Sequence, residues 1–416
     1  MNQSTRAVRY QGRHTLRTIT TVTSCFDCGR EAIAPGGAVG VRLAETDRGR
    51  VVGFAGVATC GRIWLCPVCN SKVMAKRAVE IGAALTWAAV EGLRVVWGSL
   101  TCRHNAFTSL AGLLRIQKEA WRHVVQARQW SKRSATATRA HVCSQTCESP
   151  CERKRDTYDT GKSGRVGYIR AAEVTQNFAP GGNGWHPHFH PIILWRGTEA
   201  DAQAHADDVV ELWIEGVEKA GGEAGRGQSQ QLRVVSGVEM YDNLSGYVTK
   251  ATYDPAALAL ETVWSQGKTG KVGRLKATAS HWALLAAVEQ GLADDVDRWT
   301  ELEHATNEHR MITWSRGLRG FAGLTAEKDD WDVAAAAVGT IEDTVCMITA
   351  EGWLAVRDAP ELLSTILDVL ESDGWEGLRP VLDAYGVQWT TIDGLADVET
   401  SDDTEQRYAD VKAARV

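Results

Sequence analysis

The chain is short of several features, and each absence removes a class of protein. No run of about 18 apolar residues occurs in its 416 residues, so no membrane-spanning helix is expected. The stretch Met1 to Thr20 is polar and basic, without the apolar centre of a secretory signal, which points to a cytoplasmic protein. In that reducing setting ten cysteines read as metal ligands rather than disulfides. A complete phosphate-binding loop is missing too. Gly161-Lys162-Ser163 and Gly267-Lys268-Thr269 look like its end, but Asp156 and Thr262 stand where its first glycine belongs. Without that glycine the backbone cannot cradle phosphates, so no built-in ATPase motor is expected. No tandem repeat is visible.

The remaining composition suits a folded chain of two or three domains: 44% hydrophobic, 24% charged, mean hydropathy −0.24. The net charge of −6 conceals an asymmetry. From Thr325 onward there are 6 Lys/Arg against 21 Asp/Glu; the preceding part has 40 against 31. A basic body suits an anionic partner, although a solvated surface would carry the same charge.

The N-terminal cysteines come in pairs. Cys25-Phe26-Asp27-Cys28-Gly29 is followed, after a glycine-rich segment, by Cys60-Gly61-Arg62-Ile63-Trp64-Leu65-Cys66-Pro67-Val68-Cys69. Two Cys-x-x-Cys pairs about forty residues apart are similar to the knuckles of a zinc ribbon or treble clef, because a two-residue spacer lets two thiolates reach one tetrahedral ion. Cys60 is a fifth candidate, so four of Cys25, Cys28, Cys60, Cys66 and Cys69 are expected to bind zinc. In a further segment, 133–165, His141, Cys143, Cys147 and Cys151 are spaced for one helix face; a second metal or a labile surface loop both fit.

Along the chain, Ser71–Gly92 and Ser109–Lys132 have helical periodicity and Leu93–Thr101 reads as a buried strand. Gly167–Thr175 is a strand, Asn177–Gly184 a turn, and the following stretch a second strand, so a hairpin is expected that brings Glu173 or its neighbours near its histidines. Glu199–Ala220 is helical, Gln231–Val235 a short strand, Val238–Ala251 a helix, and Ala279–Gln290 and Ala293–Asn307 helices. Later come a strand-like pair, Thr344–Thr349 and Trp353–Val356, and helices at Ala359–Leu370 and Trp375–Ala384.

The most informative stretch is Trp185-His186-Pro187-His188-Phe189-His190. Alternate side chains of a strand share a face, so His186, His188 and His190 can point one way while Phe189 packs on the other. A lone histidine would be read as solvated or hydrogen-bonded. Three at period two on an apolar strand are read as a metal or catalytic site. Two imidazoles and a carboxylate leave open positions on a divalent ion, which can polarise a phosphodiester. On the helix 238–251, Tyr247 and Lys250 are neighbours at i, i+3. A lysine beside a tyrosine can support its attack on a phosphate, and the phosphotyrosine product conserves the energy of the bond it replaces.

Four segments, in order, resemble the plasmid rolling-circle replication initiators of the HUH endonuclease superfamily, actinobacterial plasmid type. They are Gly98-Ser99-Leu100-Thr101-Cys102-Arg103-His104, Arg170 through Leu194, Tyr247-Val248-Thr249-Lys250, and Thr313-Trp314-Ser315-Arg316-Gly317-Leu318-Arg319. The cysteine segment CGRIWLCPVC also matches, and the resemblance spans about residues 25 to 320. Tyr247 follows His190 by 57 positions, the order of replication initiators rather than of conjugative relaxases.

The resemblance implies an α+β fold: an antiparallel sheet with flanking helices and the histidine strand central. The residues themselves suggest a mobile basic lead-in at 1–23, a zinc-binding module at 24–70, an insertion at 133–165 and a small acidic α/β region at 326–416; the resemblance makes 71–325 the nickase core. It implies Mg²⁺ or Mn²⁺ on His188 and His190, with Glu173 as third ligand and His186 beside or behind them. It makes Tyr247 the nucleophile and Lys250 its support. Arg103 and Trp185 are candidate contacts to single-stranded DNA. Asn243 replaces a glutamate that some members place one turn before the tyrosine, so the terminating chemistry is left open. The expected partners are plasmid origin DNA, a host helicase and a host polymerase, with no membrane. A zinc-stabilised DNA-binding regulator without catalysis, or a related transposase, are the alternatives.

Overall fold

The computed structural model describes residues 5–46, 49–141, 155–227, 230–235 and 279–391. The candidates Tyr247, Lys250, Asn243, Cys143, Cys147 and Cys151 lie outside them.

The elements in chain order begin with α1 (Thr5–Ile19), α2 (Thr23–Asp27), β1 (Val39–Thr46), β2 (Gly49–Ala55), α3 (Pro67–Val90) and β3 (Arg94–Thr101). Next come α4 (Leu110–Gln126), α5 (Arg128–Lys132), β4 (Thr136–Ala140), β5 (Arg155–Asp159), β6 (Gly164–Asn177), β7 (Gly184–Arg196) and α6 (Glu199–Lys219). The remainder are β8 (Gln231–Val235), β9 (Ala279–Ser280), α7 (Ala283–Glu289), α8 (Asp294–Thr306), β10 (Ile312–Trp314), α9 (Leu318–Phe321), α10 (Asp330–Ala335), β11 (Thr344–Ile348), α11 (Ala350–Val356), α12 (Pro360–Ala384) and β12 (Trp389–Thr390).

The chain is a mixed α/β protein built on antiparallel sheets. The larger has strand order β10-β6-β7-β3-β8, with β9 also on β6. The histidine strand β7 is its centre, and β6 and β7 form the expected hairpin, Glu173 opposite His188. The apolar face of β7 looks onto α4 and α6. Phe189 meets Trp121 of α4 and Trp213 of α6 edge-on, at 6.4 and 5.8 Å between ring centroids. Helix α6 starts where Thr198 accepts a bond from the Asp201 N–H, with Glu199 and Asp201 in its first turn, a favourable end for a helix dipole. Between α4 and α5 the chain breaks at Ala127, which takes an extended conformation (ψ 144), so 109–132 is two helices rather than one.

The smaller sheet runs β12-β11-β1-β2. Its register pairs Val39 with Ile348 and Val41 with Cys346, all four buried. Segments the sequence puts at opposite ends, 24–70 and 326–416, thus supply neighbouring strands of one sheet. Their shared core adds Trp353, Leu363, Ile366, Leu367 and Leu370 from the C-terminal helices.

Three expectations are corrected. The lead-in is not mobile from Thr5 onward: α1 buries Leu16 completely and tucks Tyr10, Arg13 and Arg17 inward. Its polar composition hid this because long arginine stems cover apolar surface as hydrocarbon does. Trp353–Val356 is the end of helix α11, not a strand. Thr349 caps that helix by accepting the Gly352 N–H at 3.1 Å, and Trp353 and Val356, three apart, share its buried side. Likewise Ala279–Gln290 opens with the short strand β9 before turning helical.

Candidate functional site

Alternation along β7 sends His186, His188 and His190 to the sheet face opposite Phe189. Across the hairpin Glu173 points at them. Its Oε2 lies 2.5 Å from His188 Nε2 and 3.0 Å from His190 Nε2. The far side of each ring is committed elsewhere. His188 Nδ1 faces the His186 carbonyl at 3.2 Å; His190 Nδ1 faces the Gly98 carbonyl at 3.2 Å and Ser99 Oγ at 3.1 Å. A carbonyl only accepts, so each neutral ring places its N–H at Nδ1 and its lone pair at Nε2. Three acceptors, two imidazole lone pairs and a carboxylate oxygen, therefore converge with no proton between them, an arrangement that calls for a cation. The donor set and its spread, all ligand atoms within 4.8 Å of one another, fit a divalent metal.

His186 stands apart from this trio. Its Nδ1 lies 2.5 Å from His104 Nε2, and His104 Nδ1 faces the Asn183 carbonyl at 2.9 Å. The same donor logic gives His186 its N–H at Nδ1 and leaves its Nε2 as a lone pair. Burial, then the nearby His188 and His104, lower its pKa to about 4. His104, Gly98 and Ser99 were not read as site residues from the sequence, although all three lie in the segment that carries the resemblance. The signal was present: a strand ending in His next to a histidine strand. The pairing of β3 with β7, Thr101 opposite His188, is what makes them neighbours. Gly98 is required there, since a β-carbon would stand 1.6 Å from the Gln231 carbonyl of β8.

The two candidate DNA contacts separate. Trp185 is 1% exposed, bonded through Nε1 to Glu301 at 2.7 Å and packed edge-on against Phe178. It has no free ring face for a base, so that expectation is corrected: the residue alternates onto the helical side of the sheet with Phe189. Arg103 is exposed and 3.2 Å from Glu223.

A second group of candidate metal ligands lies in the N-terminal part. Sγ of Cys28 is 3.8 Å from Cys66 and 3.5 Å from Cys69, and Cys60 is 3.5 Å from Cys69. All four are buried and unbonded to one another, and all their sulfurs lie within 4.8 Å. Cys25 is buried beside them but outside the four-way group. The sequence left one of five spare; the geometry leaves out Cys25. A sequence signal does favour Cys60. Cys28 and Cys60 each precede a glycine with positive φ, Gly29 (+60) and Gly61 (+63), the turn that lets a knuckle fold back on its ligand.

No helix in the described residues is long and apolar enough to cross a membrane. No protein family profile matches the chain, and no solved structure matches it. Over 158 positions, 38% of the chain and 35% of the relative, it is 32% identical to a neomycin resistance protein of Streptomyces cyanogenus. It is also 30% identical to Protein rep of Streptomyces lividans over 439 aligned positions, covering 91% of this chain and 90% of that one. Similarity of that extent, end to end, places the chain in the plasmid Rep protein family.

Proposed function

We propose that this Rep protein is the initiator of rolling-circle replication and that it nicks one strand of its plasmid origin. The observation that supports the reading most directly is the convergence of Glu173 with His188 and His190 on one face of the central hairpin. These three side chains would hold Mg²⁺ or Mn²⁺, which supplies positive charge for a scissile phosphate. Ser99 and the Gly98 carbonyl keep His190 in the tautomer that offers Nε2, as the His186 carbonyl does for His188. Tyr247, outside the described residues, attacks phosphorus through its phenolic oxygen. The bond to the 3′ oxygen breaks, that oxygen takes up a proton, and the 5′ end stays on the tyrosine. Lys250 holds the phosphate oxygens. The free 3′-OH primes a host polymerase, and because the chain has no complete phosphate loop a host helicase opens the duplex. A DNA-binding regulator without catalysis has no use for a carboxylate held between two histidines.

The test uses the full chain with supercoiled plasmid carrying its origin and Mn²⁺ or Mg²⁺. A covalent protein–DNA adduct and a nicked circle are expected, both lost in Tyr247→Phe. Origin binding without an adduct under either metal would sink the nickase and favour the regulator.

A further inference from the structure

We propose that Cys28, Cys60, Cys66 and Cys69 hold a structural zinc ion and that Arg13 and Arg17 of α1 are its built-in counter-charges, so that the ion locks the N-terminal helix onto the fold.

The sulfur positions suit zinc. A tetrahedron with arms of about 2.3 Å has edges of about 3.8 Å, close to the 3.5, 3.5 and 3.8 Å separations seen here. They do not suit disulfides, whose sulfurs lie about 2.05 Å apart. The ligands come from two glycine turns, at Cys28 and Cys60, and from the start of α3, where Cys66 is the N-cap and Cys69 lies in the first turn. Backbone N–H groups at that end favour thiolate.

The charge is what singles out α1. Four thiolates around Zn²⁺ carry a net formal charge of roughly −2, and a buried anion must be compensated. Two guanidinium groups are buried against the Cys28–Gly29 turn. Arg13 is 5% exposed and lies over Gly29, so close that a β-carbon there would stand 1.9 Å from its Nη1. It also covers the Tyr10 ring at 4.5 Å. Arg17 donates from Nη2 to the Cys28 carbonyl at 2.8 Å and lies 3.6 Å from Asp358. The Nε of each arginine has no hydrogen-bond partner among the described residues. Such burial suits a site whose sulfurs stay anionic. If the metal leaves and the thiols protonate, both buried cations lose the charge of the thiolates, Arg17 keeping only Asp358 at 3.6 Å, and α1 is expected to detach.

The test uses the full chain carrying His188→Ala and His190→Ala, so that the histidine site does not contribute metal. We expect one zinc per chain. Arg13→Met with Arg17→Met is expected to lower zinc affinity roughly 10- to 100-fold in chelator competition, whereas Arg13→Lys with Arg17→Lys stays closer to the parent. In the parent itself, chelation should open tryptic cleavage at Arg9 and Arg13 of α1 before the rest of the chain is cut. Zinc absent from the purified protein, disulfides among the four cysteines, unchanged zinc affinity in the Met pair, or equal protection of α1 with and without metal would each overturn the proposal. None of these readouts involves DNA, so they stand or fall apart from the nicking reaction.

Discussion

At the residue scale, the decisive feature is that both imidazoles beside Glu173 are oriented by carbonyls behind them. Replacing the carboxylate therefore has a two-sided outcome. In Glu173→Gln the amide donates to a lone pair that previously faced another acceptor, so the metal-free protein keeps or gains thermal stability. Its Mn²⁺ affinity, read by calorimetry, is expected to drop roughly 10- to 100-fold. Equal affinity in the two proteins would mean that Glu173 is not a ligand. Trp185 teaches the complement. An aromatic beside a metal motif invites a role in stacking, but its parity along β7 sends it into the core, where Glu301 receives its indole N–H.

At the element scale, α6 carries a titratable group into the core. His205 is 1% exposed, stacked on Trp195 of β7 at 4.9 Å, and neither ring nitrogen has a hydrogen-bond partner among the described residues. Burial, and then Arg165 and Arg133, lower its pKa to about 3. The folded protein thus keeps His205 neutral while the unfolded chain takes up a proton near pH 6.5. Its stabilising contribution is fully present above about 6.5 and is lost as pH falls from there toward 3. His186 and His281, both lowered to about 4 chiefly by burial, act with the same sign. His205→Phe should therefore show a smaller loss of melting temperature between pH 7 and pH 5 than the parent; an identical loss would place the acid sensitivity elsewhere.

At the scale of the molecule, the acidic C-terminal part is a structural partner of the N-terminus. Besides the β1–β11 pairing, Arg6 of α1 bonds to Asp368 and Glu371 of α12, and Arg30 reaches Asp358 at 3.0 Å. Partly exposed pairs of this kind contribute on the order of 1 kcal/mol or less each; the buried valines, isoleucines and leucines of the shared core contribute more. A chain ending at residue 326 would leave Val39 and Val41 without their strand partners Ile348 and Cys346. It is expected to aggregate or to lose cooperative melting, and to expose α1 to trypsin even with zinc present. A truncated chain with the parent's melting profile would show that the smaller sheet is dispensable.

Much of the local structure could be read along the chain. Alternation in WHPHFH predicts a strand with one histidine face, and the turn at 177–184 predicts the hairpin that brings Glu173 across. Both are short-range patterns, set by a period of two and by glycine in turns. The choice of four cysteines among five, the reach of His104 to His186, the burial of Trp185 and of two arginines, and the pairing of residues 39–42 with 344–348 are contacts between distant segments. Periodicity says which face of an element is apolar; it does not say which element covers that face. The sequence alone therefore determined the candidate ligand types and the strand that carries the histidines. Only tertiary packing decided which side chains meet, because register and burial belong to pairs of elements and not to any one of them.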